Sequence, residues 1–516
     1  MPAPRFSAFS DGLPCLETVS VLRPSETAAP YPRLFLTKGN PPMLSKTAAA
    51  LLLLCACFCA RAADPVQRED DDSVSRRLRF ENREAAQVRE EEALAAGQAA
   101  AQAEDGGDGQ WPLRLLGAVN RGDAAEAARL LAAYRATDGH DENLAAFTGA
   151  SIARLNGDYA GALRQYADLL ARQPDFARAR LDYAKTLFDD KQTRGAQAQF
   201  ALLQQEELPE AVKQNIAAYL NAAKVRGAWH GSLAVGGVHN SNVRETTGET
   251  YCFDPYGLTC ARTAAPEAAE GFTYEASAEK HRALAGHHGL FARATLYGTR
   301  YKHFPDSSED TLNVSAGYRY SSAKNTWSAA PVAEWGRADS SLLYRSAGLR
   351  GEWQHDFSER TALSAEAEYR EMRYAEDYAG NDGRLFSLYA TLMHAPSDAW
   401  MLYGGANVQK RKTQSEATGY LTHGFQAGAQ YRCGDAFSLR LHAALRYRRY
   451  GDFNPWIQVR RSDSEQSYSA TLKIPRWKIA GFTPVFHVRH TRVHSNAGWL
   501  AGWRKNEAGI RLERFF

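Results

Sequence analysis

The sequence has little net charge, few sulfur-containing residues and only a short apolar run near its start. A formal net charge of +3 is too small to indicate a nucleic-acid-binding protein. The apolar run at 47–59 covers about 13 residues, too few for a helix that spans a bilayer. A mean hydropathy of −0.48 normally indicates a soluble protein. A membrane β-barrel also fits that value, because half of its strand residues face a polar lumen.

Catalytic and metal-binding patterns are also scarce. His287 and His288 share a predicted turn, and His487 and His490 fall on opposite faces of one predicted strand. No Ser/His/Asp arrangement with an activated nucleophile is evident. We therefore expect no catalytic residue, metal or cofactor, and an enzyme such as a barrel phospholipase or protease is a minor alternative.

What the sequence does contain is a long series of alternating segments from 229 to 516. In 312–320, apolar Leu312, Val314 and Ala316 alternate with polar Asn313 and Ser315, the period of a strand with two different faces. About fourteen such segments recur up to the C-terminus. The pattern predicts an antiparallel transmembrane β-barrel of about 14 strands.

The gaps between these segments alternate in length. Gaps after even-numbered strands are short, as at 285–288 and 358–360, whereas most odd-numbered gaps are longer and polar, as at 239–271 and 449–466. Tight periplasmic turns and long external loops are typical of outer-membrane barrels. A soluble β-sandwich or propeller is the alternative, since its strands also alternate.

The last strand favours the membrane barrel. Ala508, Ile510 and Leu512 alternate up to the terminal Phe516, although Arg514 interrupts the pattern. A final aromatic residue on such a strand resembles the assembly signal of outer-membrane barrels. We therefore expect the barrel assembly machinery and outer-membrane lipid among the partners.

Residues 43–62 have the pattern of a secretory signal peptide. Lys46 supplies the charge, 47–59 the apolar core, and Ala60-Arg-Ala62 the small residues before a cut between Ala62 and Ala63. Residues 1–42 show no coherent pattern, so synthesis is expected to begin at Met43. A membrane anchor and lipidation at the lipobox-like 54–57 are the alternatives.

Three cysteines remain after signal cleavage. Cys252 and Cys260 share the long 239–271 gap, which favours a disulfide over a metal site in an oxidising compartment. Cys433 is expected as a lone thiol in a periplasmic turn. Residues 63–109 are charged and Ala-rich with few aromatic residues, so we expect a flexible or partly helical linker.

Residues 110–226 contain a helical repeat. The segment 156–162, with Tyr166, Leu169 and Pro174, matches the tetratricopeptide pattern. A shift of 34 residues, the diagnostic period, superimposes small and aromatic positions of one copy on the next. The predicted repeat core consists of Ala150, Ala162, Tyr166, Ala184, Ala196 and Phe200. A generic Ala-rich helical bundle is the alternative, and the fold class is α+β in either case.

This layout resembles the surface lipoprotein assembly modulators (Slam), outer-membrane proteins of Gram-negative bacteria. The resemblance covers 110–516 and includes the Asn/Ser-rich exit of the first strand at 236–243. It implies a translocator that delivers client lipoproteins, or secreted haem-scavenging proteins, from periplasm to cell surface, with the repeats in the periplasm. The family defines no catalytic residue.

A polysaccharide exporter with tetratricopeptide repeats and a barrel is the second hypothesis. Such exporters carry more repeats, and an acidic lumen suits a cationic polymer. The inferred lumen is instead mixed and leans basic, with Arg293, Arg350 and Arg440 among its side chains.

Overall fold

The computed structural model describes residues 72–101, 111–254 and 260–516. The segment 1–42, the signal peptide 43–62 and its cleavage site at Ala62 and Ala63 lie outside the described residues. The described chain forms a helical solenoid followed by a closed barrel of 14 strands. One long helix, α1 (Asp72–Ala101), connects these two units.

Seven further helices follow α1 and build the solenoid. Aspartates cap three of them, because the side chains of Asp123, Asp141 and Asp158 accept hydrogen bonds from free N–H groups of the first turn. The helices are α2 Trp111–Asn120, α3 Ala124–Arg135, α4 Glu142–Leu155, α5 Tyr159–Arg172, α6 Ala177–Asp189, α7 Thr193–Leu203 and α8 Glu210–Arg226.

The turn inside each helix pair recurs through the solenoid. Gly122 and Gly157 have φ of 73° and 76°, and Lys191 takes the same left-handed conformation with φ of 62°. Glycine suits this conformation because it has no Cβ. The spacing of these three turns follows the predicted tetratricopeptide period.

The barrel strands pair antiparallel with their neighbours in sequence, and the first strand pairs with the last. A separate two-stranded hairpin lies in the long loop after the first strand. The strands are β1 Trp229–Asn240, β2 Thr250–Cys252, β3 Cys260–Arg262, β4 Ala269–Ala283, β5 His288–Tyr301, β6 Glu309–Ser321, β7 Asn325–Ala338, β8 Ser341–Ser358, β9 Thr361–Tyr374, β10 Gly383–Ser397, β11 Trp400–Thr413, β12 Tyr420–Cys433, β13 Phe437–Tyr450, β14 Ser462–Lys473, β15 Thr483–Ser495 and β16 Arg504–Phe515.

The two faces of the barrel wall reverse the usual distribution of polarity. Outward-facing Leu349 and Phe425 are 65% and 67% exposed, whereas inward-facing Arg350 and Arg370 are only 4% and 2% exposed. A soluble sandwich would bury its apolar side chains and expose its charged ones. An apolar exterior around a polar interior is the arrangement that a bilayer requires.

The barrel closes where β1 pairs with β16, from Ser232↔Phe515 to Asn240↔Glu507. The main chains of Gly231 and Phe516 exchange two hydrogen bonds of 2.9 Å. A Cβ on Gly231 would lie 2.6 Å from the Phe516 ring, so the ring packs directly over this glycine. Closure therefore extends to the last residue of the chain.

The connections differ between the two ends of the barrel. We call the end where β1 begins the proximal end, and its turns are short except for 474–482. The opposite, distal end carries the longer loops, and the loop with the β2–β3 hairpin contains a disulfide between Cys252 and Cys260. One distal turn is short because Asp339 and Ser340 both adopt positive φ, as a two-residue hairpin turn requires. Cys433 is exposed and unbonded beside a proximal turn.

The described part of the predicted linker 63–109 is helical, as the prediction allowed, but it is packed rather than free in solvent. This part is the 30-residue helix α1, about 45 Å long. The first half of α1 lies inside the barrel, and the second half packs along α8 outside it. Charged side chains indicated a solvated segment, but many of them meet complementary charges in the polar lumen.

The buried repeat core can be tested with two alanines of α5. Ala162 is fully buried, whereas Ala167 is exposed on the same helix. Ala162→Trp should destabilise the solenoid by about 1–3 kcal/mol because overpacking displaces neighbouring helices, and Ala167→Trp should change stability by less than about 0.5 kcal/mol. Far-UV circular dichroism of each detergent-solubilised variant would give the midpoint of solenoid unfolding. Equal midpoints would contradict this core.

Candidate functional site

The lumen wall is lined by arginine–carboxylate pairs. Arg293 donates to Glu279 at 2.5 Å and to Glu352 at 2.7 Å. Arg350 is bonded to Glu368, and Arg370 to Glu334. Arg293, Arg350 and Arg370 are therefore paired with carboxylates of the wall, and this part of the lumen carries charges of both signs.

The first half of α1 adds its own basic side chains to this network. Arg77 Nη2 lies 2.5 Å from a Glu275 oxygen on β4. Arg79 donates to both oxygens of Glu366 on β9, at 2.7 and 3.0 Å. Both arginines are largely withdrawn from solvent, so their carboxylate partners replace lost hydration.

The acidic side chains of α1 face the opposite wall. Glu81 accepts a hydrogen bond of 2.8 Å from Arg440 on β13, and Glu84 accepts one of 2.7 Å from Arg432 on β12. In the closed ring of strands, β12 and β13 lie across the lumen from β4. The helix thus pairs its arginines with carboxylates of β4 and β9 and its glutamates with arginines of β12 and β13.

A cavity of about 1180 Å³ remains beside α1. Tyr159 of the solenoid and Glu359 of a barrel turn line its proximal part, and Lys505 lines its distal part. There Lys505 binds Glu245 at 2.6 Å, in the loop that carries the disulfide. The polar space therefore runs along most of the barrel and ends beneath this loop.

The solenoid is fixed to the proximal end of the barrel through Asp190. One carboxylate oxygen lies 2.8 Å from Nε2 of His287, and the other accepts the main-chain N–H of Ala323 at 3.3 Å. Asp190 follows α6, while both partners occupy turns between strands. These contacts place the solenoid over the opening of the cavity.

The outer half of α1 is held differently from its luminal half. Ala93 and Leu94 pack against the apolar core formed by α6, α7 and α8. Glu90 accepts hydrogen bonds from Arg226 at 2.5 and 3.1 Å. Burial alone would raise the pKa of Glu90, but the hydrogen bond and charge of Arg226 lower it.

The residues singled out in the sequence occupy distinct places in the structure. The proposed repeat-core residues are buried inside the solenoid, Cys252 and Cys260 lie in a distal loop, and Phe516 lies at the barrel closure. They do not form one site. Among the described residues, no group of three or more His, Cys, Asp or Glu side chains is arranged to hold a metal ion.

Sequence reasoning missed the luminal residues of α1. The available signal was the order of charges, with Arg76, Arg77 and Arg79 followed by Glu81 and Glu84 on one helical segment. That order complements the charged residues on the polar faces of the predicted strands. Their complementarity requires the three-dimensional arrangement of strands and could not be found from either segment alone.

Comparison with known proteins identifies the architecture. Residues 229–516 match the family described as surface lipoprotein assembly modifier, and residues 113–200 match its N-terminal TPR repeats. The chain belongs to the surface lipoprotein assembly modifier family.

Curated relatives extend over both units of the chain. The hemophilin secretion modulator of Acinetobacter baumannii is 28% identical over 402 residues, covering 74% of this chain and 81% of that protein. The surface lipoprotein assembly modifier of Pasteurella multocida is 26% identical, with coverage of 65% and 67%. Surface lipoprotein assembly modifier 2 of Neisseria meningitidis is 25% identical, with coverage of 74% and 81%.

Membership in this family and the closed barrel place the modifier in the outer membrane. The proximal end and the solenoid therefore face the periplasm, and the disulfide loop lies on the external side. Within the described ranges, the helices include none that is long and apolar enough to cross a membrane.

Acid should weaken the docking of α1 on α8 through Glu90. Because its folded-state pKa is lowered, its stabilisation is present above the unfolded value of about 4.3 and is lost as pH falls through the folded value. The protection of amides 86–95 from hydrogen exchange should therefore decrease towards low pH, after correction for the pH dependence of exchange in an unstructured peptide. In Glu90→Gln, exchange should already be faster at neutral pH, with a smaller acid-induced change. Identical profiles would contradict the role of this pair.

Proposed function

We propose that this modifier moves a client protein, a surface lipoprotein or a secreted haem-binding protein, from the periplasm to the cell surface. The observation that carries the proposal is a helical solenoid fixed over the mouth of a barrel with a long polar cavity. The printed names of the relatives support it, since they refer to surface lipoprotein assembly and hemophilin secretion.

In this proposal the solenoid captures the client and the barrel provides its route. Stacked helical repeats form an extended surface suited to binding polypeptides. The loop between α4 and α5, with Gly157 and Tyr159, lines the cavity opening together with Glu359. A client held on the solenoid would therefore be concentrated next to the entrance of the barrel.

The polysaccharide hypothesis has less support. The printed names of the relatives refer to hemophilin secretion and lipoprotein assembly, and neither refers to a polysaccharide. We further propose that Phe516 directs barrel assembly, because its ring and main chain complete the seam beside Gly231.

The docking contact gives a direct test of this function. Asp190→Arg should lower surface display of an epitope-tagged client several-fold, because it removes the acceptor for Ala323 and places a cation beside His287. The client would be the lipoprotein or secreted haem-binding protein encoded next to this chain. Antibody labelling of intact cells measures display, and lysates give total client.

Two variants serve as controls for this experiment. Asp168→Arg makes the same change at an exposed solenoid position and should preserve display. Asp190→Arg combined with His287→Asp restores opposite charges and should recover much of the loss. Normal display in Asp190→Arg, with a heat-modifiable assembled barrel, would show that docking is not needed for delivery.

A further inference from the structure

The two halves of α1 are held by different kinds of contact. In the outer half, the partly buried Ala93 and Leu94 pack against an apolar core. In the luminal half, the barrel contacts are mainly ion pairs and hydrogen bonds, including Arg77–Glu275, Arg79–Glu366 and Asn82–Ser277. Among the described residues, the buried apolar clusters do not join this half to the barrel wall. The outer half is therefore held through apolar packing and the luminal half mainly through polar contacts, with Leu78 as its one buried apolar side chain among the described residues.

The wall beneath the luminal half is built to receive basic side chains. Glu275, Glu352 and Glu366 belong to β4, β8 and β9, and their side chains are only 14%, 13% and 15% exposed. Each carboxylate also has a wall arginine near it, and Arg77 and Arg79 of α1 supply additional positive charge; the wall pairs are Arg511–Glu275, Arg293–Glu352 and Arg350–Glu366. If α1 withdrew, these shielded carboxylates would lose part of their compensation. A polypeptide that brings cations would restore it better than water alone.

The cavity gives such a polypeptide access to this wall. It contacts Arg77, Arg79 and Arg83 of α1 and reaches the periplasmic opening near Tyr159 and Glu359. A chain entering the cavity would thus lie beside α1 and next to the carboxylates that α1 contacts. A client segment could replace the arginine contacts of α1 with its own without any opening of the barrel wall.

We propose that the wall formed by Glu275, Glu352 and Glu366 is a polypeptide-binding surface that α1 occupies at rest. During transport its occupant is a segment of the client that carries arginine or lysine. This inference rests on the proposed transport function and adds the binding surface and the charge of the segment that it accepts. The luminal half of α1 is then a resident substitute for the client.

A disulfide that fixes α1 to the wall tests this inference. Asn82 Nδ2 lies 2.5 Å from Ser277 Oγ, so Asn82→Cys with Ser277→Cys would join the luminal half to β4. In a Cys433→Ser background, oxidation should abolish surface display of the tagged neighbouring client, and reduction should restore it. The client should still co-purify with the oxidised variant through the solenoid.

A matched pair at the same wall position controls for the chemistry. Ser232 Oγ lies 2.8 Å from Ser277 Oγ on the adjacent strand, so Ser232→Cys with Ser277→Cys joins wall to wall and leaves α1 free. Display should be the same before and after oxidation of this pair. Equal loss in both pairs would overturn the inference, because cross-linking at 277 alone would then explain the effect.

Site-specific photo-cross-linking tests whether the client reaches the proposed wall. A photoreactive residue at Gln354, which contacts Arg83, should capture the tagged client when α1 is free and lose that product when α1 is locked. The same residue at the lipid-facing Leu349 on β8 should capture none. Normal display with α1 locked would overturn this inference while leaving the transport function intact. Absence of display by the unaltered chain would instead reject the transport function.

Discussion

The ion pairs between α1 and the lumen wall are the interaction on which this architecture depends. Arg79 bonded to Glu366 on β9 and Glu81 bonded to Arg440 on β13 join one helix to two parts of the lumen wall. A charged side chain is costly to withdraw from water unless a partner replaces its hydration. Each pair therefore favours the position of α1 in which its two side chains meet, and together the pairs orient α1 in the lumen.

The same helix couples the barrel to the solenoid. Outside the lumen, α1 packs along α8, and Leu94 packs against the solenoid core. Glu90 is bonded to Arg226, the last residue of α8, which directly precedes β1. A shift of the solenoid would therefore be transmitted along a rigid helix to the luminal contacts. Asp190 provides a second, separate connection to the barrel turns. These contacts link the solenoid outside the barrel to the helix inside its lumen.

Much of the fold could be predicted from local patterns in the sequence. Alternation such as Leu312, Val314 and Ala316 defines a strand face, and the 34-residue period identifies stacked helix pairs, because both patterns repeat over short distances. The strand number and the α+β class are confirmed by the closed barrel. A repeating pattern contains the same information many times, so single irregularities such as Arg514 do not obscure it.

The luminal site could not be predicted in the same way. The Arg77–Glu275 pair joins residues 198 positions apart, and nothing near Arg77 in the sequence indicates its partner. A run of mixed charge most often indicates a solvated segment, and here the solvent is replaced by the polar inside of a barrel. Only the closed ring of strands brings the acids of β4, β8 and β9 around the helix in its lumen.

Conductance of the full chain in planar bilayers tests this account most directly. Arg77→Glu with Arg79→Glu places like charges against Glu275 and Glu366, so the luminal half of α1 should leave the wall and ion conductance should rise several-fold. Arg129→Glu, at a solenoid side chain that is 72% exposed, should leave conductance at the low level of the unaltered chain. Unchanged low conductance of an assembled double variant would contradict the claim that these ion pairs hold α1 in the lumen.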